Sequence, residues 1–331
     1  AGIPGHDRPD VMKSELTIFY VADIHGADVC FKKWLNAAGV YGADVVVIGG
    51  DLTGKVLVPL YPASNGTRTA TWHGTQMHLE GGSAVEDFSG RARAEGAYVY
   101  ETTPDEVAEI QDSLEREREV FAKVKVAALT EWVAWADERL ADQKVRALVM
   151  PGNDDPPEMD AVIARSSRLE DVHGRAVELA PGIWMASRGE STPTPWHTPR
   201  EVPDDELGHL VEEATSEIPE DAFAIWNIHN PPYNSGVDRA PRLDDDLRIR
   251  YSASGEAEMV PVGARSVRRL IEERQPGLCL HGHIHEGRGR YRMGRTVGFN
   301  PGSVYSDGVL YGVLVRVSNE RGIRSYSLTS G

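Results

Sequence analysis

The sequence predicts a layered α/β fold, and three observations carry that prediction. Short apolar runs recur along the chain, stretches of helical periodicity separate several of them, and each run ends in Gly, Asp, Asn or His. In open α/β sheets ligands bind just past the carboxyl ends of strands, where those polar residues fall.

In chain order, residues 16–22 read as a strand that delivers Asp23 and His25. An amphipathic stretch follows at 28–38. Residues 45–48 form a buried-type strand ending at Gly49, Gly50 and Asp51. After a long interruption, 147–150 repeat the pattern and end in Gly152, Asn153, Asp154 and Asp155. "AFAIWNIHN" ends in His229 and Asn230, and "GLCLHGHIH" carries His281, His283 and His285. If that last strand ran through all three histidines, their rings would share one face. If it stopped at Gly282, His283 and His285 would sit on the loop leaving it.

The interruption has two parts. Residues 56–80 alternate apolar and polar side chains around the turn "SNGT", which predicts a small antiparallel excursion. Residues 104–142 predict one long helix, with a possible break, capped by Thr103 with Pro104 at its first position. Its inward face is expected to hold Leu114, Val120, Phe121, Val124, Leu129, Trp132 and Trp135, while "EREREV" is a solvated charge run. The tail predicts a hairpin turning near residues 319–322. Residues 1–14 lack periodicity and are set apart as a disordered leader, in part not native; 15–331 are expected to form one domain with the 55–142 stretch inserted.

Composition narrows the function. The formal charge is 35 − 51 = −16, against a nucleic-acid scaffold, which needs a basic footprint. No apolar stretch approaches the roughly 20 residues of a membrane span, and no signal-peptide pattern opens the chain. Cys30 and Cys279 cannot build a disulfide framework and read as buried packing residues, so a cytoplasmic location is expected.

Together the strand ends offer Asp23, His25, Asp51, Asn153, His229, His283 and His285: two carboxylates, one amide oxygen and four imidazoles, with no thiolate. This mixed O/N set suits Mn, Fe, Zn, Co or Ni. Seven ligands exceed what one ion usually takes, so two divalent or trivalent ions sharing a carboxylate is the economical reading.

The ordered elements "DIH", "GGDLTG", "PGNDD", "NIHNPPY" and "GHIH" resemble the calcineurin-like metallophosphoesterases, and "GNDD", "HNPPYN" and "HGHIHEGRG" resemble their Icc-related prokaryotic branch. The resemblance implies an αββα sandwich of two mixed sheets flanked by helices. It also implies one ion on Asp23, His25, Asp51 and His285 and another on Asp51, Asn153, His229 and His283, with Asp51 bridging. The activity implied is hydrolysis of small phosphate esters by a hydroxide shared between the ions, with diesters slightly preferred. Alternatives are a monoesterase acting on a metabolite or nucleotide, and a non-catalytic scaffold on the same fold.

The sequence departs from the family pattern at Asp154, where many relatives carry a histidine. A carboxylate there is expected to orient a ligand histidine or to act as an acid. Arg288, nearest the last histidine, is the expected contact to a substrate phosphate. His281 is left without a ligand role, and Asp155 reads as a helix N-cap. Residues 234–255 and the loop holding Trp196 and His197 are long enough to approach the site or a partner. A homodimer is the base-rate expectation.

Overall fold

The computed structural model describes residues 15–331; the leader lies outside the described residues. Two six-stranded mixed sheets pack face to face. The first runs Gly322–Ser330, Tyr311–Ser318, Glu15–Val21, Val45–Gly49, Arg146–Met150 and Leu169–Asp171. Its last four strands are mutually parallel, and the carboxyl-terminal hairpin is antiparallel, turning where expected. The second sheet runs Gly289–Met293, Thr296–Asn300, Leu278–Leu280, Phe223–Ile228, Ile183–Arg188 and Ala176–Ala180.

Alternation along each strand divides the side chains between layers. Ile18, Tyr20, Val45, Val47 and Leu148 meet Met185, Ile225, Leu280 and Phe299 between the sheets. From the other face of the same strands, Phe19, Val21, Val46 and Val149 pack on helices Asp28–Tyr41, Leu114–Leu140 and Glu158–Ile163. Helices Asp204–Thr215 and Arg265–Arg274 cover the second sheet. Burying one such large side chain stabilises by about 1.5–3 kcal/mol, so both strand-end rims rest on a stiff base.

The excursion is larger than its sequence pattern suggested. Val56–Pro62, Thr67–Trp72 and Thr75–Glu80 form the expected antiparallel strands. The chain then makes a helix, Gly81–Ala94, and a strand, Ala97–Glu101, that pairs parallel to Val56–Pro62. Three glycines between residues 81 and 90 lower helix propensity there and hid that helix. The predicted long helix is two, Pro104–Asp112 and Leu114–Leu140. Thr103 Oγ1 accepts from Glu106 N (3.2 Å), and Ser113 Oγ accepts from Arg116 N (3.2 Å) to start the second. Leu114, expected inside, is 52% exposed because it opens that helix beyond the core. Lys125 instead occupies the inward face with Val120, Leu129 and Trp132.

Candidate metal centre

The site lies where strands of both sheets end. Asp23 and His25 follow Glu15–Val21, Asp51 follows Val45–Gly49, and Asn153 follows Arg146–Met150. His229 follows Phe223–Ile228. The strand Leu278–Leu280 stops before His281, so His283 and His285 stand on the loop beyond it. Asp23, His25, Asp51 and His283 all adopt positive φ, between 38° and 67°. Non-glycine residues hold that conformation at a cost of order 1–3 kcal/mol each, and such strain concentrates where geometry serves a site. Here the loops stitch one another down: Asp23 N donates to Gly50 O (3.1 Å), His25 N to Asp51 O (3.0 Å) and Gly282 N to His229 O (3.0 Å). Two glycines permit the closeness. A Cβ on Gly50 would stand 2.3 Å from His229 Nδ1, and one on Gly282 would stand 2.6 Å from Asp23 Oδ2.

The side chains converge. His25 Nε2 lies 2.9 Å from His285 Nε2 and 3.6 Å from Asp51 Oδ2. His229 Nε2 lies 3.4 Å from Asp51 Oδ2 and 3.8 Å from Asp23 Oδ1, and His285 Nε2 lies 3.7 Å from that same Asp23 oxygen. His283 Nδ1 is 2.8 Å from Asn153 Oδ1. Donors each about 2.1 Å from one ion stand about 3.0–3.4 Å apart, and these spacings bracket that range, within about 0.4 Å of it on either side.

Hydrogen bonding supports the same fit. His229 Nδ1 is 2.8 Å from Gly49 O, so it carries the proton and leaves the Nε2 lone pair facing two carboxylates. Buried His229 Nε2 and His25 Nδ1 have no hydrogen-bond partner. An imidazole nitrogen aimed at carboxylate oxygens needs a cation between them, a proton or a metal ion. Acid–imidazole groups able to hold a metal ion include Asp23–His25–His285, Asp23–Asp51–His229 and His25–Asp51–Asp154.

Electrostatics follow from crowding. Burial, reinforced by Asp51, raises Asp23 to about 7, although His229 pulls the other way. Burial works against the Asp51 carboxylate too, but His229, His25 and the Asp154 N–H hold it well below the usual range. Burial would depress His229, but Asp51 and Asp23 lift it to about 10, so without a metal a second proton sits on Nε2 and a bound ion would have to displace it to use that lone pair. Burial with nearby positive groups lowers His283 to about 3 and His285 to about 4, so both are neutral donors at ordinary pH.

Around this cluster the remaining sequence candidates take different places. Asp154 is at the rim: Oδ2 lies 3.6 Å from His25 Nδ1 and 3.5 Å from Lys55 Nζ, while its N–H donates to Asp51 Oδ1 (2.9 Å). Burial and Asp51 raise it to about 6. Arg288 is not among the gathered groups. Its guanidinium lies over Tyr311 and donates to Pro301 O (3.0 Å) and Thr329 O (3.1 Å). His281 is buried with Nδ1 2.7 Å from Ile228 O and Nε2 2.9 Å from the Tyr291 hydroxyl. Asp155 is no N-cap; it accepts from Gly152 N, Leu52 N and Thr53 N, locking two site loops together. From the "TPWHTPR" loop, Thr198 reaches the site through Asn153 Nδ2 (3.0 Å), while Trp196 is 65% exposed.

Four contributors have no site role in the sequence reading, although Asn300 lies in "FNPGS", which reads as a strand ending in a turn. Asn300 Nδ2 is within reach of Gly282 O (3.1 Å) and Ile284 O (2.9 Å), pinning the histidine loop from beneath. Tyr305 lies against both His25 and His285, ring centroids 4.9 and 5.9 Å away. Lys55 pairs with Asp154, and Lys125 Nζ donates to Asp154 O (2.6 Å). Lys125 did leave a signal, a charged residue inside an apolar stripe of helical spacing.

No protein-family model matches the chain. An uncharacterized protein of Methanocaldococcus jannaschii is 29% identical over 168 residues, half of this chain and 68% of that one. Two solved structures match at 14% identity. One has a TM-score of 0.53 over 95% of this chain and 98% of its own; the other, TT1561 of Thermus thermophilus, has a TM-score of 0.51 over 96% and 98%. The two packed mixed sheets, with all five motif elements at one rim, decide the architecture. The fold is an αββα sandwich of two mixed sheets flanked by helices, shared with these two solved structures. In this sandwich the excursion packs beside the rim: the Tyr98 hydroxyl is 2.8 Å from Gly54 N, directly before Lys55. Among the described residues no helix is long and apolar enough to cross a membrane.

Proposed function

We propose that the chain is a metal-dependent phosphoesterase holding two divalent or trivalent ions, one on Asp23, His25, Asp51 and His285 and one on Asp51, Asn153, His229 and His283. The observation that carries this reading is the convergence of those seven side chains, with the unpartnered His229 Nε2 facing Asp23 and Asp51. Bound ions would supply Lewis acidity, lowering the pKa of water and neutralising phosphoryl oxygens. They would also let a chain of charge −16 attract an anion.

The protein's own contribution is positioning. Asp51 stands between His25 and His229 and can serve both ions. The backbone N–H of His283 donates to Asp23 Oδ1 (2.9 Å) and fixes that carboxylate. Asp154 faces His25 Nδ1 and can orient the ring as a ligand, the arrangement that raises imidazole basicity. With a carboxylate at position 154, the site lacks an imidazolium there to protonate a poor leaving group. That favours diesters slightly over monoesters.

The test is a metal-dependence assay on chelator-stripped protein, comparing bis-p-nitrophenyl phosphate with p-nitrophenyl phosphate while adding Mn, Ni, Co, Zn or Mg. Diester hydrolysis that returns with metal is the expected outcome. Turnover of the monoester alone would overturn the diester preference. A chain that takes up no metal would overturn the whole reading and leave a scaffold.

A further inference from the structure

Position 154 presents a difficulty for any anionic substrate, because the Asp154 side chain lies at the rim and points at His25. A carboxylate there repels a phosphate ester unless a cation offsets it. Three cations of this region can be compared. Lys125 has its ammonium on the Asp154 carbonyl at 2.6 Å and is 5% exposed. Arg288 has both terminal nitrogens on backbone carbonyls away from the cluster. Lys55 differs: among the described residues its ammonium makes one ion pair, 3.5 Å from Asp154 Oδ2, and no hydrogen bond. Its side chain is 44% exposed, so donors remain free on the solvent side. The Asp154 carboxylate oxygen it pairs with lies 3.6 Å from His25 Nδ1, so the ammonium stands one carboxylate away from the ligand cluster.

From this geometry we propose that Lys55 is the substrate-anchoring cation of the site, its ammonium binding a non-bridging oxygen of the phosphoryl group. The assignment rests on the phosphoesterase reading for the nature of the ligand. It gives the excursion a purpose. Lys55 is the residue before strand Val56–Pro62, whose parallel pairing with Ala97–Glu101, together with the Tyr98 hydroxyl on Gly54 N, sets where the ammonium sits. An ammonium at a fixed rim position contributes charge without needing a proton transfer, and a point charge suits phosphate oxygens.

The experiment uses the full chain loaded with the metal that best supports it. Lys55→Met and Lys55→Arg are compared with the parent and with Lys123→Met, an exposed lysine paired with Glu119 that controls for net charge. Orthophosphate affinity is read by calorimetry, metal content by elemental analysis, and KM and kcat with the diester. In Lys55→Met, phosphate binding is expected to weaken at least tenfold and KM to rise, with metal content and melting temperature as in the parent. Lys55→Arg should recover most of the affinity, and Lys123→Met should match the parent. Unchanged phosphate affinity in Lys55→Met overturns the assignment, as does a loss matched by loss of metal. A parent that holds metal and binds phosphate but cleaves neither ester overturns the hydrolase reading alone, and the lysine is then judged on phosphate affinity. A parent that binds no phosphate overturns both.

Discussion

The two ends of the sandwich are built from the same twelve strands, and they differ in what they leave unpaired. At the amino ends of the parallel strands lies a groove of about 880 Å³ lined by Phe223, Trp226, Arg274, Gln275, Pro276 and Arg295 among others. Two of its polar residues pair with each other: Gln275 Oε1 accepts from Arg295 N (2.7 Å), and Arg295 Nε donates to Gln275 O (2.8 Å). At the carboxyl ends, two buried imidazole nitrogens lack partners and four site residues adopt positive φ. Volume is therefore a poor guide here. Unsatisfied donors held by strained backbone mark the end that asks for a ligand.

The contrast between the two ends is tested most severely at Asp51. Asp51→Asn keeps the shape but removes the charge that both His25 and His229 face. It should cut ester hydrolysis by at least the roughly 10²–10³-fold that one preorganised electrostatic contact is worth, and elemental analysis should show less bound metal. Full activity in that variant would sink the shared-carboxylate assignment.

A smaller effect should come from beneath the histidine loop. Asn300→Ala strips donors from Gly282 O and Ile284 O in a buried setting, which should cost about 1–3 kcal/mol in urea unfolding. Metal affinity should fall with it because His283 and His285 ride on that loop. Stability loss with metal affinity intact would show that the loop is held by other contacts.

His281 brings the same contrast inside one motif, since it is bonded on both nitrogens while its neighbours face the cluster. Burial depresses it to about 4. Between about pH 6.5 and 4 the unfolded chain therefore binds a proton that the folded chain does not, so its contribution to stability is present above 6.5 and is lost as pH falls towards 4. Replacing it in His281→Gln should lower the slope of stability against pH in that window by about one proton; an unchanged slope would mean the ring titrates normally. The smallest effect belongs to the opposite groove. Arg274→Ala should change stability by less than about 0.5 kcal/mol and leave hydrolysis within twofold, and a large loss of turnover would reverse the assignment of the two ends.

Much of this was legible in the chain. Strand ends carrying Asp, His and Asn are local chemistry: an apolar run of five or six residues must stop, and the next residues occupy the rim. The cap at Thr103 and the terminal hairpin were legible for the same reason, since each depends on a few neighbouring residues. Helix Gly81–Ala94 escaped because its glycines weaken the periodic pattern, and its stability comes from Phe88 and Ala92 packed on the excursion sheet. Spacing alone points Leu114 inward, yet burial depends on what lies opposite.

Residue type and periodicity are properties of short segments. The chain alone therefore carried which groups could bind a metal, their order, and the layered α/β class. Which atoms face one another was left to tertiary packing. It placed Lys55 and Lys125 on either side of Asp154, turned Arg288 away onto Tyr311, and made Asp155 a clasp between loops about a hundred residues apart. Those outcomes come from two sheets and an excursion packing together, and no local pattern encodes the distance between residues so far apart in the chain.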